Sequence, residues 1–95
     1  MKKFPLGYVA ATAGVYDLMA ANPDFLRFVG KCIDRHNAGD WGDLDPEDKQ
    51  LNDASLHDGG RIMSAYEPPE HPDWKIWIVT EWDRSTTTIL FPSEY

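Results

Sequence analysis

The ten residues RHNAGDWGDL, 35–44, place charged, imidazole and indole side chains around two glycines. A histidine beside carboxylates can act as a general acid or base when the groups lie within hydrogen-bond reach. One interpretation is therefore a small hydrolase, or another enzyme, whose pocket is formed by His36, Asp40, Glu81 and Arg84. No nucleophile-elbow motif accompanies these residues, so the sequence favours a protein without catalytic residues.

Metal binding is the second chemistry that this region suggests. Cys32 and His36 stand four residues apart on one predicted helix and would project from the same side. His57 or His71 could complete a tetrahedral zinc site. The spacing contains no second close pair of ligands, and Cys32 and His36 both fall on an apolar helical stripe. We therefore predict a buried thiol, a histidine at the end of the helix, and no metal or other cofactor.

The glycines indicate a structural role for the same loop. Glycines on either side of Asp40 and Trp41 permit a tight turn that directs the indole inward, with its N–H bonded to a carbonyl. Arg84, in a predicted hairpin turn, can bind a carboxylate such as Asp40 or Asp43 through two guanidinium nitrogens. We predict a structural clamp that fastens the hairpin to this loop and consists of Arg35, Trp41, Asp83 and Arg84.

Three helices are indicated before residue 60, each preceded by a capping residue. The predicted helices are 13–21 after Thr12, Pro23 to the terminator Gly39 after Asn22, and Pro46 to about His57 after Asp45. The second helix carries the clearest signals, because a proline at the first helical position and an acid in the first turn both suit a helix start.

After Gly60 the hydrophobic period changes to two, which is typical of strands. The segments RIMSAY, KIWIVTE and TTTILF predict three strands joined by short turns, and GYVAAT could add a fourth at an edge. We predict a single domain over residues 1–95 of the α+β class, with about three N-terminal helices on one face of a small antiparallel three- to four-stranded C-terminal sheet. An uncovered edge strand would invite self-association, so we expect a monomer or a homodimer.

The net charge of −7 is unevenly distributed over the 95 residues. Residues 1–33 hold four basic and two acidic residues, whereas residues 34–58 hold eight acids and two bases. Phosphate binding requires lysine and arginine, so this pattern argues against direct nucleic-acid binding. The single cysteine cannot form an internal disulfide, and no apolar run reaches membrane-spanning length, so we expect a cytoplasmic protein without a membrane partner.

Acids and tryptophans together predict a protein-binding surface. The acids would imitate phosphates for a basic groove, and the tryptophans would anchor the contact. The predicted partner-binding residues are Asp40, Asp43, Asp45, Glu47, Asp48, Trp74, Trp77 and Trp82. A solvated acidic helix face is the alternative interpretation of the same acids.

Three blocks of sequence carry a resemblance to a known group of proteins: RHNAGDWGDL (35–44), GGRIMSAY (59–66) and WIVTEWDRSTTTILFPSEY (77–95). Over roughly residues 35–95 the chain resembles small uncharacterised "plasmid-related" proteins of bacterial plasmids, prophages and other mobile elements. The group has no established chemistry, so the resemblance implies no catalytic residue. It implies a setting in which small acidic proteins often resemble anti-CRISPR and anti-restriction factors.

Charge and resemblance lead to one expectation about function. We expect a small acidic interaction protein of a mobile genetic element that inhibits a host defence complex stoichiometrically. It would do so by covering a basic, nucleic-acid-binding surface of its protein partner.

Overall fold

The computed structural model describes residues 2–95. Its elements, in chain order, are β1 (Tyr8–Ala11), α1 (Ala13–Ala21), α2 (Pro23–Asn37), α3 (Pro46–Asp58), β2 (Ile62–Tyr66), β3 (Ile76–Thr80) and β4 (Thr86–Leu90). Short 3-10 helices, Pro72–Trp74 and Pro92–Glu94, precede β3 and follow β4. The predicted α+β class is confirmed. No helix within residues 2–95 is both long and apolar enough to span a bilayer.

The ends of α2 follow from local sequence. The side chain of Asn22 accepts hydrogen bonds from the backbone N–H groups of Asp24 at 3.0 Å and Phe25 at 3.2 Å. These bonds satisfy donors that have no partner inside the helix. The helix ends at Asn37, and Gly39 follows with a φ of 84°, a conformation that glycine adopts without a steric penalty. The predicted cap and terminator are both confirmed.

The start of α1 depends on the far end of the chain. The Thr12 hydroxyl donates to the Glu94 carboxylate at 2.6 Å, and the same carboxylate accepts the Gly14 N–H at 3.1 Å. These contacts, with the Thr12 bond as the main cause, lower the pKa of Glu94 below its usual range. A helix N-terminus favours a carboxylate because its N–H groups are unpaired and partly positive.

The sheet has the strand order β1-β4-β3-β2. Strands β2, β3 and β4 are antiparallel neighbours, but β1 pairs with β4 in parallel, with Tyr8 opposite Thr86. The prediction of a purely antiparallel sheet is wrong, since the sheet is mixed, whereas the fourth strand expected from GYVAAT is present at an edge. The two-residue hydrophobic period of a strand does not show whether the neighbouring strand runs parallel or antiparallel to it. For β1 and β4 this direction depends on the chain between them, which includes all three long helices.

The main core lies between the sheet and the first two helices. Its buried members are Val15 from α1, Phe25, Val29 and Cys32 from α2, and Tyr66, Ile76, Ile78 and Ile89 from the sheet. A smaller cluster joins Phe4, Trp41 and Ile62, with Leu56 of α3 packed against it. Thus α1 and α2 cover one face, and α3 lies along the β2 edge.

The opposite face of the sheet carries the alternate residues. In β3 the side chains of Ile76, Ile78 and Thr80 point toward the helices, while Trp77 and Val79 lie on the second face. There the ring of Tyr95 packs edge-on against Trp77, with centroids 5.5 Å apart.

Candidate functional site

The loop between α2 and α3 is organised around an ion pair. The Arg35 guanidinium donates to both carboxylate oxygens of Asp40, at 2.7 and 3.3 Å, and the Gly42 N–H donates to the same carboxylate at 3.1 Å. The bond from Arg35 is the main reason why the pKa of Asp40 is lowered. Arg35 also lies over the ring of Tyr66, 4.7 Å from its centroid. Asp40, a predicted partner-binding residue, is therefore already neutralised by its own chain.

Trp41 points into the protein and is only 4% exposed. Its indole N–H donates to the Asp53 carboxylate of α3 at 2.9 Å, not to a carbonyl as predicted. The indole thereby joins the loop to α3 through both packing and a charge-assisted hydrogen bond.

The same loop attaches to the outer edge of β2. The Trp41 carbonyl accepts the Ala65 N–H at 3.3 Å, and the Asp43 N–H donates to the Ala65 carbonyl at 2.7 Å. Gly42 forms a short parallel bridge with Ala65 and has a φ of 75°. A β-carbon at Gly42 would overlap the Ala65 carbonyl oxygen, so glycine is required for this close approach.

Arg84 occupies a different position from the one predicted. It donates to the carbonyls of Gly60 at 2.6 Å and Ser55 at 2.8 Å. The Ser55 carbonyl already accepts the Gly59 N–H at 3.1 Å, and carbonyls at the C-terminal end of a helix carry partial negative charge, which suits a guanidinium. The predicted clamp between Arg84 and Asp40 or Asp43 is therefore wrong, since the hairpin is fastened to the end of α3.

Asp83 stabilises the turn of its own hairpin. Its carboxylate accepts the N–H of Ser85 at 3.0 Å and the Ser85 hydroxyl at 2.6 Å. These contacts lower the pKa of Asp83, chiefly through the hydroxyl. Asp83 thus belongs to the β3–β4 turn and not to the loop after α2.

Replacing Arg84 with alanine is expected to lower the free energy of unfolding by about 2–3 kcal/mol, because the partly buried carbonyls of Ser55 and Gly60 lose a charged donor. Urea denaturation monitored by circular dichroism measures the change. Arg27→Ala serves as the control, since Arg27 forms only an exposed pair with Asp24 and its loss should cost at most about 0.5 kcal/mol. Equal losses for the two variants would contradict the assigned role of Arg84.

His36 lies fully buried at the centre of a polar chain. Its Nδ1 is 2.5 Å from the Ser64 hydroxyl, and its Nε2 is 2.9 Å from the Thr80 hydroxyl. Thr80 in turn lies 2.8 Å from the hydroxyl of Thr87, which donates to the Leu6 carbonyl at 2.7 Å. Burial lowers the pKa of His36 to about 4.

The directions of these bonds follow from the terminal acceptor. Because the Thr87 proton goes to a carbonyl, Thr87 must accept from Thr80, and Thr80 must then accept from Nε2 of His36. Nε2 therefore carries the proton, and Nδ1 accepts from Ser64. A hydroxyl bonded to an imidazole resembles a nucleophile–base pair, but Ser64 and His36 are both 0% exposed, and a substrate has no access to them.

The pocket of the enzyme interpretation is not formed within residues 2–95. His36 is enclosed by the core, Asp40 pairs with Arg35, and Arg84 binds the end of α3. Glu81 lies 3.7 Å from Arg61 on the second face of the sheet. Each of the four groups is thus engaged separately, and the arrangement offers no shared acid–base site.

The histidines that would complete the zinc site lie in other environments than Cys32 and His36. Cys32 belongs to the main core, and burial raises the pKa of its thiol to about 12. His71 stacks on Trp74 with ring centroids 3.9 Å apart, and His57 is exposed in the last turn of α3. Residues 2–95 contain no cluster of three or more His, Cys, Asp or Glu side chains that could hold a metal ion.

The remaining predicted acids lie on the surface. Asp43 accepts the N–H of Glu67 at 2.8 Å, and Asp45 occupies the N-cap position of α3 without a side-chain cap bond. Glu47 and Asp48 are exposed in the first turn of α3, where acids suit the positive end of the helix. These carboxylates face solvent, consistent with either predicted interpretation.

The three tryptophans occupy three separate environments. Trp74 packs edge-on against Phe25 at 5.4 Å and borders the main core. Trp77 lies on the second face of the sheet, and Trp82 is 68% exposed in the β3–β4 turn. Because Trp74 packs on the helix side of the sheet and Trp77 lies on the other face, one flat patch cannot include both. The predicted surface is thereby reduced to the acids and, at most, part of the tryptophan set.

Several residues that organise this region carry no signal in the sequence. Asn52 bonds the backbone of Met63, and Asp53 accepts the Trp41 indole N–H. Thr80 and Thr87 extend the chain of hydroxyls from His36. Each of these side chains is an ordinary polar residue in its own element, and only its distant partner reveals its role.

Comparison with known proteins adds no relative: the chain matches no family model, no curated protein and no solved structure.

Proposed function

We propose that the protein acts by stoichiometric binding to a basic, nucleic-acid-handling protein, and that this partner belongs to a host defence complex of the CRISPR or restriction type. The observation that carries the proposal is an exposed run of carboxylates along the start of α3 and the loop before it. We call this surface the acidic ridge; it consists of Asp40, Asp43, Asp45, Glu47 and Asp48.

The acidic ridge has little internal compensation. All five of its residues are exposed, and Lys49 is the one lysine or arginine in the sequence from 40 to 58. Asp40 is paired with Arg35, so the uncompensated charge lies on the other four members. A groove lined by lysine and arginine normally binds the phosphates of a nucleic acid, which are negative charges with a similarly close spacing. Charge complementarity of this kind accelerates encounter and orients the partner.

An aromatic anchor lies beside the acidic ridge. Trp77 is opposite Ala65 in the sheet, and the Ala65 carbonyl accepts the Asp43 N–H. Trp77 is half-buried, so part of its ring can contact a partner, and tryptophan is favoured at the centres of protein interfaces. We assign the anchor to Trp77, and Trp82 lies at the far end of β3 from it.

The internal chemistry favours binding over catalysis. The buried His36 chain is self-contained, and Arg84, Asp83 and Arg35 are each engaged within the fold. The mobile-element setting rests on the resemblance of residues 35–95 to plasmid-related proteins. A partner of this kind acts in the cytoplasm, where the single Cys32 would remain reduced.

Charge reversal of the ridge tests the proposal. Bacteria that carry a defined CRISPR or restriction system are challenged with a targeted phage while they express the protein. The wild type is expected to restore plaque formation, and the variant Asp43→Lys/Glu47→Lys/Asp48→Lys is expected to lose at least about a hundredfold of this effect, since like charges would face the basic groove.

The control reverses the same number of charges elsewhere, in the variant Asp17→Lys/Glu70→Lys/Asp73→Lys. These three residues are exposed and lie outside the acidic ridge. The control is expected to protect the phage as well as the wild type does. If the ridge variant still protects the phage, the acidic ridge does not act by imitating phosphates. If the wild type protects the phage in no host, the protein does not inhibit a defence system.

A further inference from the structure

The β2 edge of the sheet is closed by other parts of the chain. The Asn52 carboxamide donates to the Met63 carbonyl at 2.7 Å and accepts the Met63 N–H at 3.2 Å. The backbone of Ala65 is bonded by the loop after α2, through Trp41 and Asp43. The outward backbone groups of this edge strand are thus satisfied within the fold, which prevents pairing with another chain.

The β1 edge at the other side of the sheet lacks such a cover. The N–H groups of Tyr8 and Thr12 donate to carbonyls on the β4 side at 2.9 and 3.0 Å. Because the direction of these groups alternates along a strand, the N–H and C=O of Val9 and Ala11 point away from the sheet. Within residues 2–95 no hydrogen bond reaches them.

The side chains of β1 are unusually exposed for a strand. Tyr8 is 72% and Val9 40% exposed. The strand contains neither lysine nor proline, the residues that commonly protect an edge. Exposed apolar groups beside unpaired backbone donors and acceptors are the features of a surface that receives another strand.

We propose that β1 pairs antiparallel with β1 of a second copy of the chain, so that two four-stranded sheets join into one across a two-fold axis. The pairing is isologous, since the same residues contribute from both copies.

Geometry selects the register of this pairing. The N–H and C=O groups of Val9 and Ala11 all form hydrogen bonds between the copies when Val9 lies opposite Ala11 of the partner subunit. Ala10 then lies at the two-fold axis. Ala10 and its counterpart form a pair that exchanges no backbone hydrogen bonds. The Cα atoms of such pairs approach most closely in an antiparallel ladder, and the small side chain of Ala10 suits that position. Tyr8 then reaches diagonally across the Ala10 of the partner subunit, which covers its exposed ring.

The distribution of charge favours a second copy over other occupants. The strand order places β1 at the opposite edge from β2 and α3, so the acidic ridges lie at the outer ends of the dimer. The copies meet through β1, which belongs to the part of the sequence, residues 1–33, where four bases outnumber two acids. Repulsion between two chains of net charge −7 is therefore smallest in this arrangement.

The mass of the full chain in solution tests the proposal. Light scattering after size exclusion is expected to show a concentration-dependent rise from 10.8 kDa to twice that mass. A contact through one short strand from each copy suggests a dissociation constant of about 10–100 µM.

Val9→Pro removes an outward N–H that the fold does not use, so it is expected to weaken the dimer at least about tenfold while the circular dichroism spectrum is kept. Val9→Thr is the matched control, because it retains the N–H and the branched shape and should associate like the wild type.

Cross-linking tests the register. Cysteine in Ala10→Cys would face its counterpart at the axis and is expected to form an intermolecular disulfide at least about tenfold faster than Gln50→Cys on α3. Cys32 can stay, since burial raises the pKa of its thiol to about 12 and suppresses reaction. A monomeric mass at millimolar concentration, an unchanged dimer in Val9→Pro, or equal cross-linking of the two cysteine variants would overturn the proposal.

Discussion

Replacing Gly42 with alanine is expected to lower the free energy of unfolding by about 3 kcal/mol or more. The residue has a φ of 75°, which strains any other L-residue, and the added β-carbon would overlap the Ala65 carbonyl oxygen. That carbonyl accepts the Asp43 N–H, and the neighbouring Trp41 fills the second core cluster. Relief of the clash must therefore displace the loop, its bonds to β2 and the buried indole together.

A matched variant separates the two causes. Gly59 at the end of α3 has a φ of 80°, but a β-carbon there meets nothing within 4 Å. Gly59→Ala is expected to cost only about 1 kcal/mol, since it adds backbone strain without a clash. Urea denaturation of both variants measures the difference. Equal losses would show that the close approach of Gly42 to β2 contributes nothing to stability.

The second large effect is a loss of stability in mild acid. Burial lowers the pKa of His36 to about 4, whereas an exposed histidine in the unfolded chain titrates near 6.5. Between these values the unfolded chain binds a proton that the folded chain does not, so stability is complete above about pH 6.5 and falls as the pH decreases toward 4. The loss should be on the order of 3 kcal/mol.

Denaturation midpoints across this pH range measure the effect, and two glutamine variants assign it. His36→Gln removes the titrating group, so its stability, although lower overall, is expected to change little between pH 6.5 and 4. His57→Gln replaces an exposed histidine and should retain the wild-type dependence. The lowered pKa values of Asp40, Asp83 and Glu94 add a further loss that begins only at the acid end of this window, and this loss is common to the wild type and both glutamine variants. A slope that persists in His36→Gln would contradict the assignment to His36.

Most of the secondary structure could be predicted because its signals are local. Asn22 and Pro23 begin α2, Gly39 follows its end, and a change to a two-residue period marks the strands. Capping and periodicity act within a few residues, so the sequence contains both the signal and its effect. The direction of β1 could not be predicted in this way, since its partner β4 lies about eighty residues later along the chain.

The candidate site was harder to predict because its polar groups choose among several partners. The sequence assigned Arg84 to a carboxylate of the loop after α2, but Arg35 occupies Asp40 and Arg84 binds carbonyls of α3. On a small protein each arginine can pair with several carboxylates or carbonyls, and the sequence does not show which of these partners it selects. Likewise, the polar residues around His36 are separated by dozens of positions, and only folding brings them together.

By itself the sequence determined the class of the fold, the approximate limits of its helices and strands, and the concentration of negative charge in residues 34–58, about a quarter of the chain. These properties follow from residue type and short-range spacing. Only the tertiary structure decided that Arg35 pairs with Asp40 and Trp41 with Asp53, that His36 bonds to Ser64 inside the core, and that one sheet edge is covered while the other is not. The reason is physical: hydrogen bonds and burial at these places join residues that are far apart in the chain, and local preference has no influence on which of them meet.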